Sequence, residues 1–589
     1  MAQQISQIQR NLEKRRDFEL LRGQLEAERS SFLPHWRELG DYILPRRPRF
    51  FVTDTNRGER RSQRIIDSSG TMSARTLSSG MMSGLTSPAR PWFRLTTPDP
   101  ALAELNPVRF WLQDVTNRMN TVYLRSNLYN TLPIIYGDLG VFGTASMFIE
   151  EDFKDVIRTY SIPVGSYTIA NDDRLKVGTF VREFRMTVRQ VVQKFGEQLP
   201  DGGIDFKEIS SHVKGMWSNG NKDAWTNIVH VIKQNELYKP NNPFSKKFTS
   251  SYYERGASRP QGGINFQGPS NDEGKFLRES GFNHFPVLAP RWEVTGEDTY
   301  GTSCPGMIAL GDIKQLQTGE KRSLQAIEKK VNPPMIAPTA LRRAKSSILP
   351  GDITYMDERE GLKGFRPAHE VNFQVTELEA KQEQCRQRIS RAFYEDLFLM
   401  LSRLDRREIT AREIDERHEE KLLALGPVLE QLNQDLLDPL IDITFDIMAR
   451  QGLIPEPPPE LQGVDLKVEY VSIMSQSQKL VGLSAIERFA NFSASIAQVK
   501  PSVLDKIDAD QMIDVYADIT SVPPGIVRSD EEVAQLRAER AEAAEQQRQL
   551  ETLAAGGQVA KDLAGAKTNE DNALTAITGK SGAPVPART

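Results

Sequence analysis

Residues 303–331 read SCPGMIALGDIKQLQTGEKRSLQAIEKKV. Met307, Ile308, Leu310, Ile313, Leu316, Leu324 and Ile327 sit among lysines and glutamines, and Asn332-Pro333-Pro334 stops the pattern. This predicts a helix of roughly 40 Å at a rise of 1.5 Å per residue. A compact insert follows, from Asn332 to about residue 374. It holds two short strand-like pieces, Met335-Ile336-Ala337 and Ile353-Thr354-Tyr355, with Pro350-Gly351-Asp352 as the turn before the second. Its middle is basic, with Arg342, Arg343 and Lys345. A second long helix is expected from Val375 to Leu401, then a short basic loop containing Arg403, Arg406 and Arg407. Thr410 with Glu413 makes a capping box for a third helix, which passes Gly426-Pro427 and reaches about Arg450. Gly452 and the prolines at 455 and 457–459 end it.

Working outward, residues 5–44 carry apolar side chains at three- and four-residue steps and predict a helix broken at Gly23 and Pro34. Pro45-Arg46-Arg47-Pro48-Arg49 opens a basic extended linker. Ile65–Leu85 predicts a helix with Asp67 or Ser68 as N-cap. Trp92-Phe93-Arg94-Leu95 is extended, and Asn106–Ser126 and Leu128–Gly140 are further helices. Val141–Ile149, Val177–Met186 and Asn227–Tyr238 read as strands, and Val188–Phe195 as a short helix opened by Thr187. Residues 240–275, rich in Asn, Gly, Ser and Pro, read as a long loop. Past residue 475 the chain is helical, in Ser475–Ile496, Leu504–Ala517 and Asp530–Leu553, with a disordered tail expected over 556–589. The fold class is α+β, mainly helical.

The 589 residues carry 75 Lys+Arg and 79 Asp+Glu, a net charge of −4, which argues against a wholesale nucleic-acid coat. No run approaches 18 apolar residues, so no membrane span is expected, and the first residues lack a signal-peptide core. Cys304 and Cys385 cannot build a disulfide framework or a closed zinc site, and read as two reduced thiols. Enzyme signatures are missing. Gly296 and Gly301 have phosphate-loop spacing, but Thr302 stands where lysine is needed, and Gly579-Lys580-Ser581 has Leu574 at its first glycine position. The six histidines do not pair at helical spacing, G-x-S-x-G is absent, and acid pairs such as Glu150-Glu151 carry no catalytic weight alone. No cofactor or metal is expected.

Two segments carry a family resemblance. One is Arg61-Ser62-Gln63-Arg64-Ile65-Ile66-Asp67-Ser68 through Leu85-Thr86-Ser87-Pro88-Ala89-Arg90-Pro91-Trp92-Phe93-Arg94-Leu95. The other is Ile409-Thr410-Ala411-Arg412-Glu413-Ile414 through Leu425-Gly426-Pro427-Val428-Leu429-Glu430-Gln431-Leu432, then Leu437-Asp438-Pro439-Leu440 and the proline run. Both resemble the head-to-tail connector, or portal, proteins of short-tailed (T7-like) bacteriophages. The resemblance extends over most of residues 1–475, and neither motif is catalytic.

The resemblance implies a non-enzymatic ring, usually of twelve copies, at one capsid vertex, through which double-stranded DNA enters on packaging and leaves on ejection. It implies a wing (1–302), stem helices (303–331 and 375–401) and a clip between them (332–374). A tunnel loop (402–409), a helix returning to the wing (410–474) and a helical crown (475–555) complete the portal fold. Implied partners are further copies of the chain, DNA, the large terminase as packaging motor, tail adaptor and tail proteins, major capsid and scaffolding proteins, and internal ejection proteins. The implied location is the virion, after assembly in the host bacterial cytoplasm. Arg403, Arg406 and Arg407 would face DNA or instead pair with Asp405, Glu408 and acids of adjacent copies. Arg342, Arg343 and Lys345 would meet the motor or the adaptor. Twelve copies of −4 give a ring on the order of −50, compatible with a channel that repels phosphate. A packaging enzyme (a terminase-like ATPase or nuclease) and a coat or scaffold protein are the competing classes.

Overall fold

The computed structural model describes residues 2–54, 61–99, 105–199, 203–242, 245–255, 275–332, 375–403, 425–461, 466–471, 489–496, 507–520 and 530–564, the short pieces 102–103, 335–336 and 366–367, and a few isolated positions. Along the chain come α1 (Ala2–Ser30), α2 (Leu33–Tyr42), α3 (Ser69–Leu85), β1 (Phe93–Thr96), α4 (Asn106–Arg125) and α5 (Leu128–Phe142). Next are β2 (Met147–Asp152), β3 (Val156–Ser161), β4 (Tyr167–Asn171), β5 (Val177–Thr187), α6 (Val188–Phe195), β6 (Glu197–Gln198), β7 (Ile204–Asp205) and α7 (Ser211–Ser218). Then follow β8 (Trp225–Gln234), β9 (Phe248–Glu254), β10 (Arg278–Phe282), β11 (Val287–Leu288), α8 (Pro305–Val331), β12 (Met335–Ile336), β13 (Arg366–Pro367), α9 (Val375–Ala392) and α10 (Glu395–Arg403). The last are α11 (Asp438–Arg450), β14 (Lys467–Tyr470), α12 (Ala509–Thr520) and α13 (Asp530–Ala564).

The chain falls into two units: Met1–Thr96, Leu112–Glu456 and Leu466–Ala485 form the larger, and Thr97–Trp111, Pro457–Asp465 and Ile486–Thr589 the smaller. The larger unit is built on an antiparallel sheet in the order β10-β9-β8-β5-β4. Alternation along its strands sends two apolar sets to opposite faces. Val181, Val229, Val231 and Tyr253 meet Phe18 and Leu25 of α1 on one side. Ile228 and Tyr252 join Val188, Val191, Val192 and Val213 of α6 and α7 on the other. On that second side one register row crosses all five strands, Tyr167, Arg182, His230, Tyr252 and Arg278. His230 stacks on Tyr252 at 3.7 Å and shares a 2.9 Å hydrogen bond with Ser250 Oγ. Burial, reinforced by nearby Arg182 and Lys194, pushes its pKa far down and keeps it neutral.

A small sheet of β11, β2 and β3 has β3 at one edge. Asn127 closes part of that edge: its side-chain amide donates to Thr159 O (2.7 Å) and accepts from Thr159 N (2.9 Å), as a neighbouring strand would. In the smaller unit, Arg537 forks onto Asp510 at 2.6 and 2.8 Å, tying α13 to α12.

The helix predicted over 303–331 is α8, and the capping box at Thr187 is present with Gln190. Several expectations change. Helix α1 runs straight through Gly23, and the break falls at Ser31-Phe32, with Pro34 in the first turn of α2, where its missing N–H costs nothing. Val141 and Phe142 finish α5 rather than begin a strand; Gly143, at φ 76°, ends the helix, and the strand starts at Met147. The expected loop over 240–275 contains β9. The single helix expected over Val375–Leu401 is two, broken at Tyr394, whose φ is 54°. Within the expected 410–450 helix, residues 410–424 lie outside the described residues, and a π-turn at Asn433–Leu437 precedes α11. That turn places Asp435 against the buried Arg291 at 3.0 Å. Met335-Ile336 pairs with Arg366-Pro367; Ile353–Tyr355 lies outside the described residues. Helix α13 continues past Leu553 to Ala564, so residues 556–564 are helix rather than disordered tail.

Close packing of α8 on α5 depends on a glycine. A Cβ at Gly306 would stand 2.5 Å from Val141 O. Gly306→Ala is expected to destabilise the chain by about 1–3 kcal/mol through overpacking against backbone, read as a lowered denaturation midpoint.

Candidate functional site: a clasped helix pair

Helices α8 and α9 lie side by side, and the start of α3 is bound across them. Gln317 of α8 is only 5% exposed. Its Oε1 accepts the backbone N–H groups of Ile66 (2.6 Å) and Asp67 (2.9 Å), and its Nε2 donates to Asp67 O (2.7 Å). One amide thus supplies the hydrogen bonds of a strand partner to a segment that has no strand beside it. From α9, Arg386 donates through Nε (3.1 Å) and Nη2 (3.0 Å) to Asp67 Oδ2, and through Nη2 to Glu320 Oε1 of α8 (2.6 Å). The other Asp67 oxygen accepts the Ser69 N–H at 2.7 Å, at the opening of α3.

Ser68 therefore occupies the N-cap position without a side-chain cap, and Asp67 does the chemical work there. Burial alone would raise the Asp67 carboxyl. The hydrogen bonds from Ser69 and Arg386 outweigh it and hold the group below its ordinary range. Its contribution to stability is complete above the unfolded carboxyl pKa of about 3.9 and is lost as pH falls through the lower folded value.

Around this clasp, Arg388 of α9 reaches Asp312 of α8 (2.7 Å), Lys314 of α8 reaches Glu38 of α2 (2.5 Å), and Ser73 of α3 donates to Glu395 of α10 (3.1 Å). Phe398 of α10 lies over Gly80 of α3, where any Cβ would collide with its ring. The left-handed Tyr394 is what lets α10 turn onto α3 in this way. Phe393 beside it is fully buried.

The end of the first quoted segment is placed by pairing over a long separation. β1 and β14 are antiparallel, with Phe93 opposite Tyr470 and Arg94 opposite Glu469. Arg94 binds Glu469 at 2.6 Å, the Tyr470 hydroxyl bonds Asp438, and Trp92 stacks on Tyr123 at 5.9 Å. Both quoted segments are thus points where the chain is fastened to itself.

One stripe runs the length of α8. Gly306, Ala309, Leu310, Ile313, Leu316 and Gln317 are buried by the unit's own helices. At helical spacing the same stripe continues through Leu324, Ile327 and Val331, and these are 58%, 41% and 79% exposed. The outer half of the helix pair differs in charge between its members. Residues 321–330 of α8 hold four cations against Glu328, and residues 377–383 of α9 hold three carboxylates against Lys381.

Of the residues singled out in the sequence, Arg403 closes α10, while Arg406, Arg407, Arg342, Arg343 and Lys345 lie outside the described residues. Gln317 and Arg386 were missed; the available signal was a glutamine standing on the apolar stripe of α8. Among the described residues no group of His, Cys, Asp and Glu could hold a metal ion, and no helix is long and apolar enough to cross a membrane. Cys304 is fully buried on Val141 O, and burial pushes its thiol up to about 12, which leaves it inert.

Removing the clasp should be felt at once. Gln317→Leu strands two backbone N–H groups, and is expected to cost about 2–4 kcal/mol in chemical denaturation.

The family model for bacteriophage head to tail connecting protein matches residues 16–527. The portal protein of Salmonella phage epsilon15 is 46% identical over 563 residues, 95% of this chain and 97% of that protein. The probable portal protein of Bordetella phage BPP-1 is 41% identical over 558 residues, 94% of this chain and 96% of that protein.

Proposed function

Because the chain belongs to the bacteriophage head-to-tail connecting protein family, and acts as a portal protein rather than an enzyme, we propose that its copies close a ring of twelve by packing their α8–α9 pairs side by side. The ring would sit at one capsid vertex and conduct double-stranded DNA through its centre. The observation that carries this reading is the stripe on α8, covered for half its length and bare for the rest. The neighbouring α9 leaves Leu324, Ile327 and Val331 exposed, and helices draw much of their stability from packing an apolar face. An adjacent copy supplies the missing cover. The cationic outer half of α8 then meets the acidic start of the neighbour's α9, a head-to-tail contact between unlike faces that closes on itself by rotation. Exposed ion pairs contribute only about 0.2–1 kcal/mol each, so charge sets register and the apolar stripe supplies affinity.

Within that ring the segment 332–374 would be the clip, with Arg342, Arg343 and Lys345 toward the packaging motor and then the tail adaptor. The pairing of β12 with β13 supports a closed insert, since it joins the two ends of the segment. Residues 402–409 would form the tunnel loop, with Arg403, Arg406 and Arg407 toward DNA, and residues 475–555 the crown.

Electron microscopy of the purified chain should show rings with a central hole, and only monomers or closed shells would contradict the reading. Lys329→Glu with Lys330→Glu is expected to weaken assembly about tenfold or more at low salt, and Glu377→Lys with Glu379→Lys should restore it. Failure of the second pair to compensate would exclude the α8-to-α9 contact. Changing Arg403, Arg406 and Arg407 together to Ala should leave rings intact and reduce the DNA content of phage particles; unchanged DNA content would remove these residues from the channel.

A further inference from the structure

The turn between β2 and β3 presents Phe153, which is 97% exposed. A phenylalanine so placed contributes nothing to the fold that carries it. The turn is nevertheless built to hold it there. Asp152 Oδ1 accepts the N–H groups of Lys154 (2.7 Å) and Asp155 (3.0 Å), and Val156 follows at φ 69°. Left-handed backbone at a β-branched residue is strained, and such strain persists where the surroundings over-determine it, often at contact sites. Residues 150–155, Glu-Glu-Asp-Phe-Lys-Asp, set four carboxylates against one lysine.

A second surface has the opposite character. Arg49 N–H donates to Val164 O (2.9 Å), and Gly165, at φ 87°, lets the chain come close enough to lay Phe50 and Phe51 beside the start of β4. Phe51 is 64% exposed. The Arg37 guanidinium lies over both rings, 5.2 Å from Phe50 and 5.7 Å from Phe51. Next to them is a shallow recess of about 50 Å³, lined by Phe50, Phe51 and Val52, in which Arg22 is paired with Glu26 and Glu183, so the exposed charge of this surface is that of Arg37. Of the three arginines in residues 46–51, Arg47 is held by the buried Asp138.

The two surfaces border opposite edges of the five-stranded sheet, the first from the adjoining three-stranded sheet. Phe153 lines a cavity of about 250 Å³ together with Arg278, Ser280 and Phe282 of edge strand β10. The Phe51 recess is lined by Thr168 of the other edge strand, β4. Four inter-strand spacings of about 4.8 Å separate those edges by roughly 19 Å. Unlike, complementary patches on opposite sides of one subunit are what a head-to-tail contact requires.

We propose that Phe153 of one copy docks on the Phe51–Arg37 patch of the next copy, with the turn's carboxylates against Arg37. This contact rests on the ring reading above. The ring edge enters the recess, the face stacks on Phe51, and Arg37 is shared between aromatic and acidic partners. It accounts for an exposed aromatic and a strained turn that the helix pair leaves unused.

The test places the photo-reactive p-benzoylphenylalanine at position 153 of the full chain. Rings are checked by electron microscopy, irradiated and analysed by mass spectrometry. The expected product is a covalent dimer whose linked peptide includes residues 37–52. Phe153→Ser and Arg37→Glu, both at exposed sites, should each raise the concentration needed for half-assembly about tenfold without changing the melting of the dissociated chain. Asp155→Arg should recover part of the loss in Arg37→Glu. Rings that form but link position 153 elsewhere, or that assemble equally well as Phe153→Ser, overturn this contact alone. Absence of rings from the unmodified chain overturns the ring reading and the contact with it.

Discussion

The side-chain amide of Gln317 satisfies three backbone groups of a passing segment, and the α8–α9 pair is anchored through it. Such an amide, buried between helices, would be a liability without partners. Here it accepts two N–H groups and donates to one carbonyl, while Arg386 closes the arrangement from the second helix through Asp67. The clasp therefore joins three parts of the chain that lie about 250 and 320 residues apart. Everything inward of it is packed: α8 against α5 and α3, α10 against α3 through Phe398 and Gly80, α2 through Lys314 and Glu38. Outward of it Ser323 is still buried, but Leu324, Ile327 and Val331 of the apolar stripe are exposed.

This asymmetry explains how a subunit can be stable alone and incomplete at the same time. The inner half supplies a rigid mount. In the proposed ring the outer half would be covered by another copy, so that assembly would add packing without rebuilding the subunit. In that proposed contact the charge difference between the two helices would keep like faces apart and direct unlike faces together. A net charge of −4 per chain, small for one copy, would accumulate around the proposed ring into a wall that repels phosphate.

Much of the helix–insert–helix order was legible, because long helices carry their period and their stops in the sequence. Asn332-Pro333-Pro334 could end α8 in only one way. The Thr187–Gln190 box was legible for the same reason, since capping is local chemistry. The misreadings share a cause. Val141–Ile149 is an apolar run too short for periodicity to separate strand from helix, and Gly143 alone decides the outcome. Tyr394 breaks a helix at a residue type that rarely adopts left-handed backbone, so no local signal precedes it. β9 hides in a serine-rich segment because its pairing with β8 and β10 supplies what its composition lacks. The clasp was half visible: Asp67 was singled out as a cap, but its partners lie far away in sequence and only the fold brings them together.

The central claim is that the clasp is complete within one subunit, whereas the outer stripe of α8 is completed by the next. Hydrogen–deuterium exchange on assembled rings and on dissociated subunits tests it directly. The account predicts that residues 61–69 and 305–317 are equally protected in both, and that residues 320–331 and 377–383 become protected only in rings. Equal exchange at 320–331 in both states, or loss of protection at 61–69 on dissociation, would contradict it.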